Sequence, residues 1–215
     1  RGGQRRQARI IAEFVENAKG GKSVMIGTVR DITEKLQAML DLRYAASHDD
    51  LTGLLNRNAF EARAVERLKD AAAINCTFYA MLFDLTGFKF VNDTFGHQTG
   101  DKLLRRIAKQ IEDAVPANAI LARWGGDEFA VLLAQTNETD AVDVLERFRR
   151  TLENTLIALN DGMEISITVS IGYCDFFDGL HDVDHWFNLA DRALYQAKAQ
   201  GRNRIIKWVP DPIAR

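Results

Sequence analysis

Three acidic side chains stand where apolar stretches of the sequence begin or end. Asp127 and Glu128 follow two glycines in ARWGGDEFAVLLA, residues 122–134, and lead directly into an apolar run. A second apolar run, TFYAMLFD, ends at Asp84. Like charges gathered at strand ends repel one another unless a cation lies among them, and hard divalent cations prefer oxygen ligands. These residues predict a divalent metal site.

The glycines of this stretch suit a phosphate-bearing substrate. Gly125 and Gly126 permit a tight turn and let a phosphate approach the backbone closely. Mg²⁺ typically takes one or two carboxylates together with substrate phosphates. A purely structural interpretation stays open, in which Asp84 caps the following turn and the Asp-Glu pair is the solvated tip of a hairpin.

The predicted elements would bring these acids together. From residue 77 to 173 the order is strand, helix, strand, strand, helix, strand, and the adjacent strands AILARW and DEFAVLLA flank the glycine turn. This is the ferredoxin-like βαββαβ arrangement of the α+β class, which places the first strand beside the hairpin in the middle of an antiparallel sheet. A further helix, HWFNLADRALYQAKAQ, and a short strand, NRIIKWV, complete the predicted domain.

Hydrophobic periodicity sets the expected bounds of these elements. Helices are predicted over 58–73, 100–115 and 138–159. The strand MEISITVSIGY alternates apolar and small or polar residues, so one of its faces is expected to be exposed. The stretch after Asp84 is predicted to be a loop that leads into a helix. Alone, each of its polar residues is typical of a turn or a helix start: Asn92, Asp93, His97 and Asp101.

The N-terminal part has a different pattern. Residues 10–33 predict two short strands around the turn-like NAKGGK, and residues 34–47 predict a helix. Two strands cannot form an independent core, so we expect them to pack on other sequence or another chain. The sequence starts with RGGQRRQ and has no initial Met, which suggests a piece of a longer protein with possible further domains.

Composition argues against several classes of partner. The net charge of −2 and the pI near 6.1 give no global basic field for nucleic acid or a membrane surface. No apolar run reaches the roughly 18 residues that cross a bilayer. Cys76 and Cys174 lack metal-type spacing and are expected to be reduced thiols of a cytoplasmic protein.

Several motifs in order resemble the GGDEF family, the diguanylate cyclase domains. They are DDLTGLLNRNAF (49–60), DLTGFKFVNDTFGHQTGD (84–101), RWGGDEFAVLL (123–133), ITVSIGY (167–173) and ADRALYQAKAQGRNR (190–204). Residues 10–33 also resemble the last strands of a PAS sensory domain that run into a signalling helix. The resemblances imply a PAS-like fragment at 1–33, a linker helix at 34–47 and a GGDEF domain at 48–209 of a bacterial protein.

The GGDEF resemblance implies a role for each matching residue. Asp84, Asp127 and the Leu85 carbonyl would bind two Mg²⁺ or Mn²⁺ ions per GTP, with Glu128 assisting at the metal or the reacting hydroxyl. Asn92 and Asp101 would read guanine, since an acidic reader accepts the donor pair that adenine lacks. The phosphates and ribose would meet a wider set of residues: His97, the backbone near Phe88 and Lys89, Gly125, Gly126, Lys198 and Arg202.

The implied reaction joins two GTP into cyclic di-GMP with release of two pyrophosphates. One domain would hold one GTP, so catalysis would require a homodimer. Two departures from the family pattern stand out: Thr86 replaces a frequent second acid, and Pro116 and Ala119 replace the Arg-x-x-Asp of the primary product-inhibition site. Two alternatives stay open, a catalytically inactive GTP-binding module that regulates an adjacent domain and a pure dimerisation scaffold.

Overall fold

The computed structural model describes residues 5–15, 24–69, 77–135, 137–158, 164–176 and 182–210. The chain divides into two compact units between Ala46 and Ser47. Among the described residues, no helix is both long and apolar enough to span a bilayer.

The first unit is a β-hairpin followed by a helix. Strands β1 (Ala8–Val15) and β2 (Val24–Asp31) pair antiparallel, and helix α1 (Thr33–Ser47) follows. The two predicted strands and the helix are therefore confirmed, while the turn NAKGGK lies outside the described residues. Apolar side chains such as Ile10 and Val29 are exposed. The assignment of this unit to a sensory domain stays a prediction.

The second unit contains five helices and seven strands among its described residues. The elements are α2 (Arg57–Lys69), β3 (Thr77–Thr86), α3 (Phe88–Phe95), α4 (His97–Ala114), β4 (Ile120–Gly125), β5 (Glu128–Gln135), α5 (Glu138–Glu153), β6 (Leu156–Ala158), β7 (Glu164–Ser166), β8 (Thr168–Asp175), α6 (Val183–Ala199) and β9 (Ile205–Lys207).

A five-stranded sheet in the order β4-β5-β3-β8-β9 organises this unit. The first four strands are antiparallel and β9 adds parallel to β8. Strands β3, β4, β5 and β8 with their connecting helices form the ferredoxin-like core that the sequence predicts. β3 lies in the centre of the sheet beside the β4–β5 hairpin. This arrangement brings the acids at the end of β3 and at the start of β5 to the same end of the sheet.

Helices cover both faces of the sheet. On one face, side chains of α4 and α5 such as Ile107 and Phe148 pack on Phe83 and its neighbours. On the other face, Trp186 and Leu194 of α6, together with α2, pack on Leu82 and its neighbours. This double burial explains why β3 is an almost unbroken apolar run.

Two predicted element bounds are wrong. The loop after β3 contains helix α3, because Gly87 and Gly96 adopt φ of 95° and 81° at its two ends and the helix buries Phe88 and Val91. The helix predicted over 138–159 ends at Glu153, and Leu156 lies 58% exposed in β6. There, pairing of β6 with β7 replaces helical packing.

The strand predicted as MEISITVSIGY divides into β7, whose Glu164 and Ser166 are exposed, and β8, which was expected to be half-exposed but is buried on both faces. Residues 169–174 of β8 are all buried, because α6 covers the face that carries Ser170, Gly172 and Cys174. A Cβ at Gly172 would collide with the backbone of α6 at Ala190 and Leu194. The small residues of this face therefore allow a close helix, where the sequence alone suggests solvent.

Candidate active site

Three neighbouring strands carry polar side chains at directly paired positions, which together form one level of the sheet. Asp84 of β3 pairs with Glu128 of β5 on one side and with Ser170 of β8 on the other. Residues paired in this way point to the same face, and here it is the face covered by α6. Asp127 precedes Glu128 in the turn between β4 and β5.

Lys198 of α6 lies among these acids. Its Nζ is 2.7 Å from Asp84 Oδ2 and 3.6 Å from Glu128 Oε1. The side chains of Lys198 and Asp84 are only 31% and 17% exposed, so this ion pair is less screened than one on the open surface. Although burial alone would lower the pKa of Lys198, its hydrogen bond to Asp84 and the charges of Asp84 and Glu128 raise it.

One ammonium group does not balance the carboxylates. Burial, and then the charge of Asp84, raise the pKa of Asp127. Burial also raises the pKa of Glu128, where Lys198 opposes the shift and Asp84, Asp127 and Asp191 add to it. The turn therefore holds negative charge that favours an additional cation.

The side chains present fit a hard divalent cation that binds together with a phosphate. Within the described ranges, no three His, Cys, Asp or Glu side chains form a ready-made metal cluster. Mg²⁺ does not need one, because it commonly binds through one or two carboxylates plus substrate phosphates. Asp84 and Asp127 supply such carboxylates, and Leu85, with its side chain in the opposite core, can supply only its backbone carbonyl.

Arg123 fastens the acidic turn to the rest of the domain. Its Nε and Nη2 donate to the Gly126 carbonyl at 3.0 and 2.8 Å, and its Nη1 donates to both Asp49 oxygens at 3.2 and 3.1 Å. Burial opposes ionisation of Asp49, but hydrogen bonds from Thr52 and the charge of Arg123 lower its pKa overall. Gly126 has a φ of 49°, and the space around Gly125 and Gly126 is open on the side where a Cβ would lie.

The predicted guanine readers lie on α3 and α4. The amide of Asn92 packs against Gly100, where a Cβ would collide with its Oδ1. This oxygen is buried and has no hydrogen-bond partner among the described residues. Asp101, the residue after Gly100, is partly exposed. The Asn92 amide therefore lies against the backbone of the residue that precedes Asp101.

The other predicted substrate residues differ in exposure. Phe88 is buried in the core, so only its backbone can face a ligand, whereas Lys89 and His97 are exposed. Arg202 is exposed and adopts a left-handed φ of 60° in the turn after α6. Its backbone N–H donates to the Ala197 carbonyl at 3.0 Å.

Residue-type reasoning missed three residues that support the site: Asp49, Arg123 and Ser170. All three lie inside the motifs that resemble the GGDEF family, but their residue types alone do not place them at the site. The position of Arg123, two residues before the first glycine of the turn, is the one signal that the sequence offers. Asp49 and Ser170 require knowledge of which elements become neighbours.

Comparison with known proteins decides the family. The sequence profile described as "Diguanylate cyclase, GGDEF domain" matches residues 46–204. The chain belongs to the GGDEF diguanylate cyclase family. It is 32% identical to diguanylate cyclase DosC of Escherichia coli K12 over 199 residues, which cover 93% of this chain and 42% of DosC. It is 36% identical to DgcM of the same organism over 186 residues, covering 86% and 44%.

A solved GGDEF structure agrees with the fold. The coiled coil and GGDEF domain of DgcB from Caulobacter crescentus, in complex with c-di-GMP, matches with a TM-score of 0.74 and 32% identity. The match covers 81% of this chain and 92% of that chain. The chain spans less than half the length of DosC and DgcM, so activities of those whole proteins do not transfer directly.

Proposed function

We propose that this GGDEF chain is a diguanylate cyclase that condenses two GTP into cyclic di-GMP with release of two pyrophosphates. The observation that carries the proposal is the level of the sheet where Asp84 and Glu128 pair across strands beside Asp127, with a lysine already among them. The family match and the cyclic di-GMP bound in the DgcB structure support the substrate class.

Asp84, Asp127 and the Leu85 carbonyl would hold two Mg²⁺ or Mn²⁺ ions, with Glu128 at the metal or the reacting hydroxyl. When bound, the ions lower the pKa of the attacking 3′-hydroxyl and neutralise charge on the α-phosphate. The residues of the chain would bind and orient the nucleotide. Arg123 keeps the carboxylates of the turn at the end of β3 through its bonds to Gly126.

Guanine recognition rests on Asn92 and Asp101. The amide of Asn92, which packs against Gly100, would serve guanine O6 and N7 as a donor. The Asp101 carboxylate accepts from N1–H and the exocyclic amino group of guanine, a donor pair that adenine lacks. GTP is therefore preferred over ATP.

Cationic side chains would take the phosphates. Lys198 would move its ammonium from Asp84 to the β- and γ-phosphates when Asp84 and Asp127 hold metal. Arg202, just past the end of the same helix, and the exposed Lys89 would add positive charge, while Gly125 and Gly126 leave the backbone of the turn accessible.

One observation favours a second candidate, a GTP-binding module without turnover. Thr86 stands at a position where the family often has an acid, and its Oγ1 is buried without a hydrogen-bond partner among the described residues. Such a module would bind GTP and regulate an adjacent domain.

Incubation of concentrated protein with GTP and Mg²⁺, followed by mass spectrometry, tests the proposal. The proposal expects cyclic di-GMP from the wild type and none from Asp127→Ala. Because each domain would hold one GTP, the rate should rise more steeply than linearly with protein concentration, and a fused leucine zipper should raise it further. Saturable GTP binding without product, even with the zipper, would favour the regulatory module.

A further inference from the structure

Ser170 carries a hydroxyl with no evident structural use. The residue is 0% exposed, and its Oγ has no hydrogen-bond partner among the described residues. Leaving a buried hydroxyl unpaired costs about 1–3 kcal/mol. Alanine, which fills nearly the same volume, would avoid this cost. A serine here is therefore best explained by a hydrogen-bond partner that its hydroxyl gains when the site binds its ligands.

The neighbours of Ser170 identify that partner. Ser170 pairs with Asp84 across β8 and β3, and paired side chains on one face lie about 4.5–5.5 Å apart at Cβ. On the far side of Asp84, the equivalent position is Glu128, whose carboxylate repels Asp84. Ser170 is thus the neutral hydrogen-bond donor on the same level of the sheet.

In the resting arrangement, Asp84 already has a partner. Its Oδ2 accepts from Lys198 Nζ at 2.7 Å, which occupies the carboxylate from the side of α6. Under the proposed function, Lys198 leaves this bond for the nucleotide phosphates. Asp84 then loses its hydrogen bond to Lys198, although its carboxylate must still be oriented toward metal.

We propose that Ser170 is a positioning residue whose hydroxyl donates a hydrogen bond to the Asp84 carboxylate when Lys198 has moved to the nucleotide. This bond holds the Asp84 carboxylate in place and satisfies a buried hydroxyl in a single step. Groups that hydrogen-bond to metal-binding carboxylates typically change metal affinity about 10–100-fold when they are removed. The inference rests on the proposed function.

The test compares Ser170→Ala with the wild type in two measurements that do not depend on turnover. Binding of Mn²⁺ in the presence of 3′-deoxy-GTP, which cannot cyclise, is followed by the electron paramagnetic resonance signal of free Mn²⁺. Thermal unfolding of the metal-free protein is measured alongside. Cys174→Ala is the matched control, because Cys174 is buried on the same face of the same strand but pairs with Ala80, four residue pairs away from the pair formed by Ser170 and Asp84.

We expect Ser170→Ala to bind Mn²⁺ about tenfold more weakly while its metal-free melting temperature is unchanged or higher. Cys174→Ala should retain wild-type Mn²⁺ affinity. Wild-type Mn²⁺ affinity in Ser170→Ala would overturn this inference but not the proposed function. A loss of metal-free stability that accounts for the weaker binding would do the same. A wild-type protein that binds no Mn²⁺ with this nucleotide would overturn both this inference and the proposed function.

Discussion

At the scale of single residues, the charges around Asp84 do not balance, because three carboxylates share one nearby lysine. Lys198 neutralises part of a three-carboxylate group, and burial raises the pKa of both Asp127 and Glu128. Under the proposed function, a divalent cation would add the charge that one ammonium group lacks and would free Lys198 for phosphate. Metal entry and nucleotide entry should therefore assist each other.

Asp101 determines base selectivity in this account. Asp101→Asn removes a carboxylate that accepts two guanine donors, an arrangement worth about 1–3 kcal/mol. GTP affinity should fall about 10–100-fold, while the weak affinity for ATP should change little. Calorimetric titration with both nucleotides checks this. Asp93→Asn, which alters an exposed acid on α3, should leave both affinities unchanged, and equal losses for GTP and ATP in Asp101→Asn would contradict the assignment.

At the scale of elements, the site depends on how the β4–β5 turn is held. Arg123 joins Gly126 to Asp49, so a segment far away in sequence fixes the position of the acidic turn. Strand pairing closes the turn at Gly125 and Glu128, but the register shifts between Arg123 and Gly125, so the pairing that leads into the turn is irregular.

Arg123→Lys should lower the initial rate about tenfold while the protein stays folded, because lysine lacks the fork that bonds Gly126 and Asp49 together. Asp49→Asn should have a smaller effect in the same direction, and the double variant should be little worse than Arg123→Lys. Arg67→Lys is the control, since Arg67 also donates to a backbone carbonyl, that of Asn118, but lies away from the turn. Additive losses in the double variant would show that the two residues do not act as a unit.

Helix α5 carries an ion pair that should make stability depend on pH. Hydrogen bonds from Arg149 lower the pKa of Glu146 from its usual 4.5 to about 2, with a further bond from Arg150. Because the folded-state pKa lies below the unfolded one, this stabilisation is complete above pH 4.5 and is lost as the pH falls toward 2.

Thermal melts of Glu146→Gln and wild type from pH 7 to acid check this dependence. The variant should melt at a lower temperature near neutrality, and the difference should shrink as the pH falls below 4.5. Glu112→Gln, which alters an exposed ion pair on α4, should differ little from wild type at any pH. A Glu146→Gln difference that stays constant with pH would contradict the lowered pKa.

The sequence predicts the elements well where a single hydrophobic periodicity dominates. It predicts them less well where packing against neighbouring elements determines burial. The central strand β3 and the β4–β5 hairpin follow from an apolar run and a glycine turn. Burial of Ser170 and Gly172 could not be predicted, because it depends on α6 packing closely against small residues. Helix α3 was missed because two glycines in left-handed conformations bound it, and glycine reads equally as a loop.

The same distinction applies to the site. The carboxylates at Asp84, Asp127 and Glu128 could be located from residue type and strand order, since acids next to buried strands are unusual. The contact of Lys198 with Asp84 could not, because it joins the last helix to the first core strand. The roles of Asn92, Asp101 and Arg202 come from the family resemblance and stay predictions.

At the scale of the whole molecule, the surface near Pro116 and Ala119 bears on regulation. A cavity of about 610 Å³ lies beside Ala119, and its lining includes Arg63, Arg67 and Glu112. The Arg-x-x-Asp pair that the family uses for primary product inhibition is replaced here by Pro116 and Ala119. Without these two residues, the surface beside Ala119 lacks the Arg-Asp pair to which the family resemblance assigns product binding.

Cyclic di-GMP should therefore not inhibit the protein through this site. Calorimetric titration of product into the protein should show no tight binding. The double substitution Pro116→Arg and Ala119→Asp should create binding and inhibition, whereas Asn118→Asp, which adds only a neighbouring charge, should not. Tight binding of product by the unaltered protein would contradict this prediction.

The central claim is that the chain joins two GTP molecules, and isotope mixing tests it most directly. Protein is incubated with Mg²⁺ and equal amounts of ordinary and nitrogen-15-labelled GTP, and the products are weighed by mass spectrometry. The account predicts cyclic di-GMP in three masses, with the mixed-label species twice as abundant as either other, and none of them from Asp127→Ala. GTP that is bound but recovered unchanged, or converted only to mononucleotides, would contradict it.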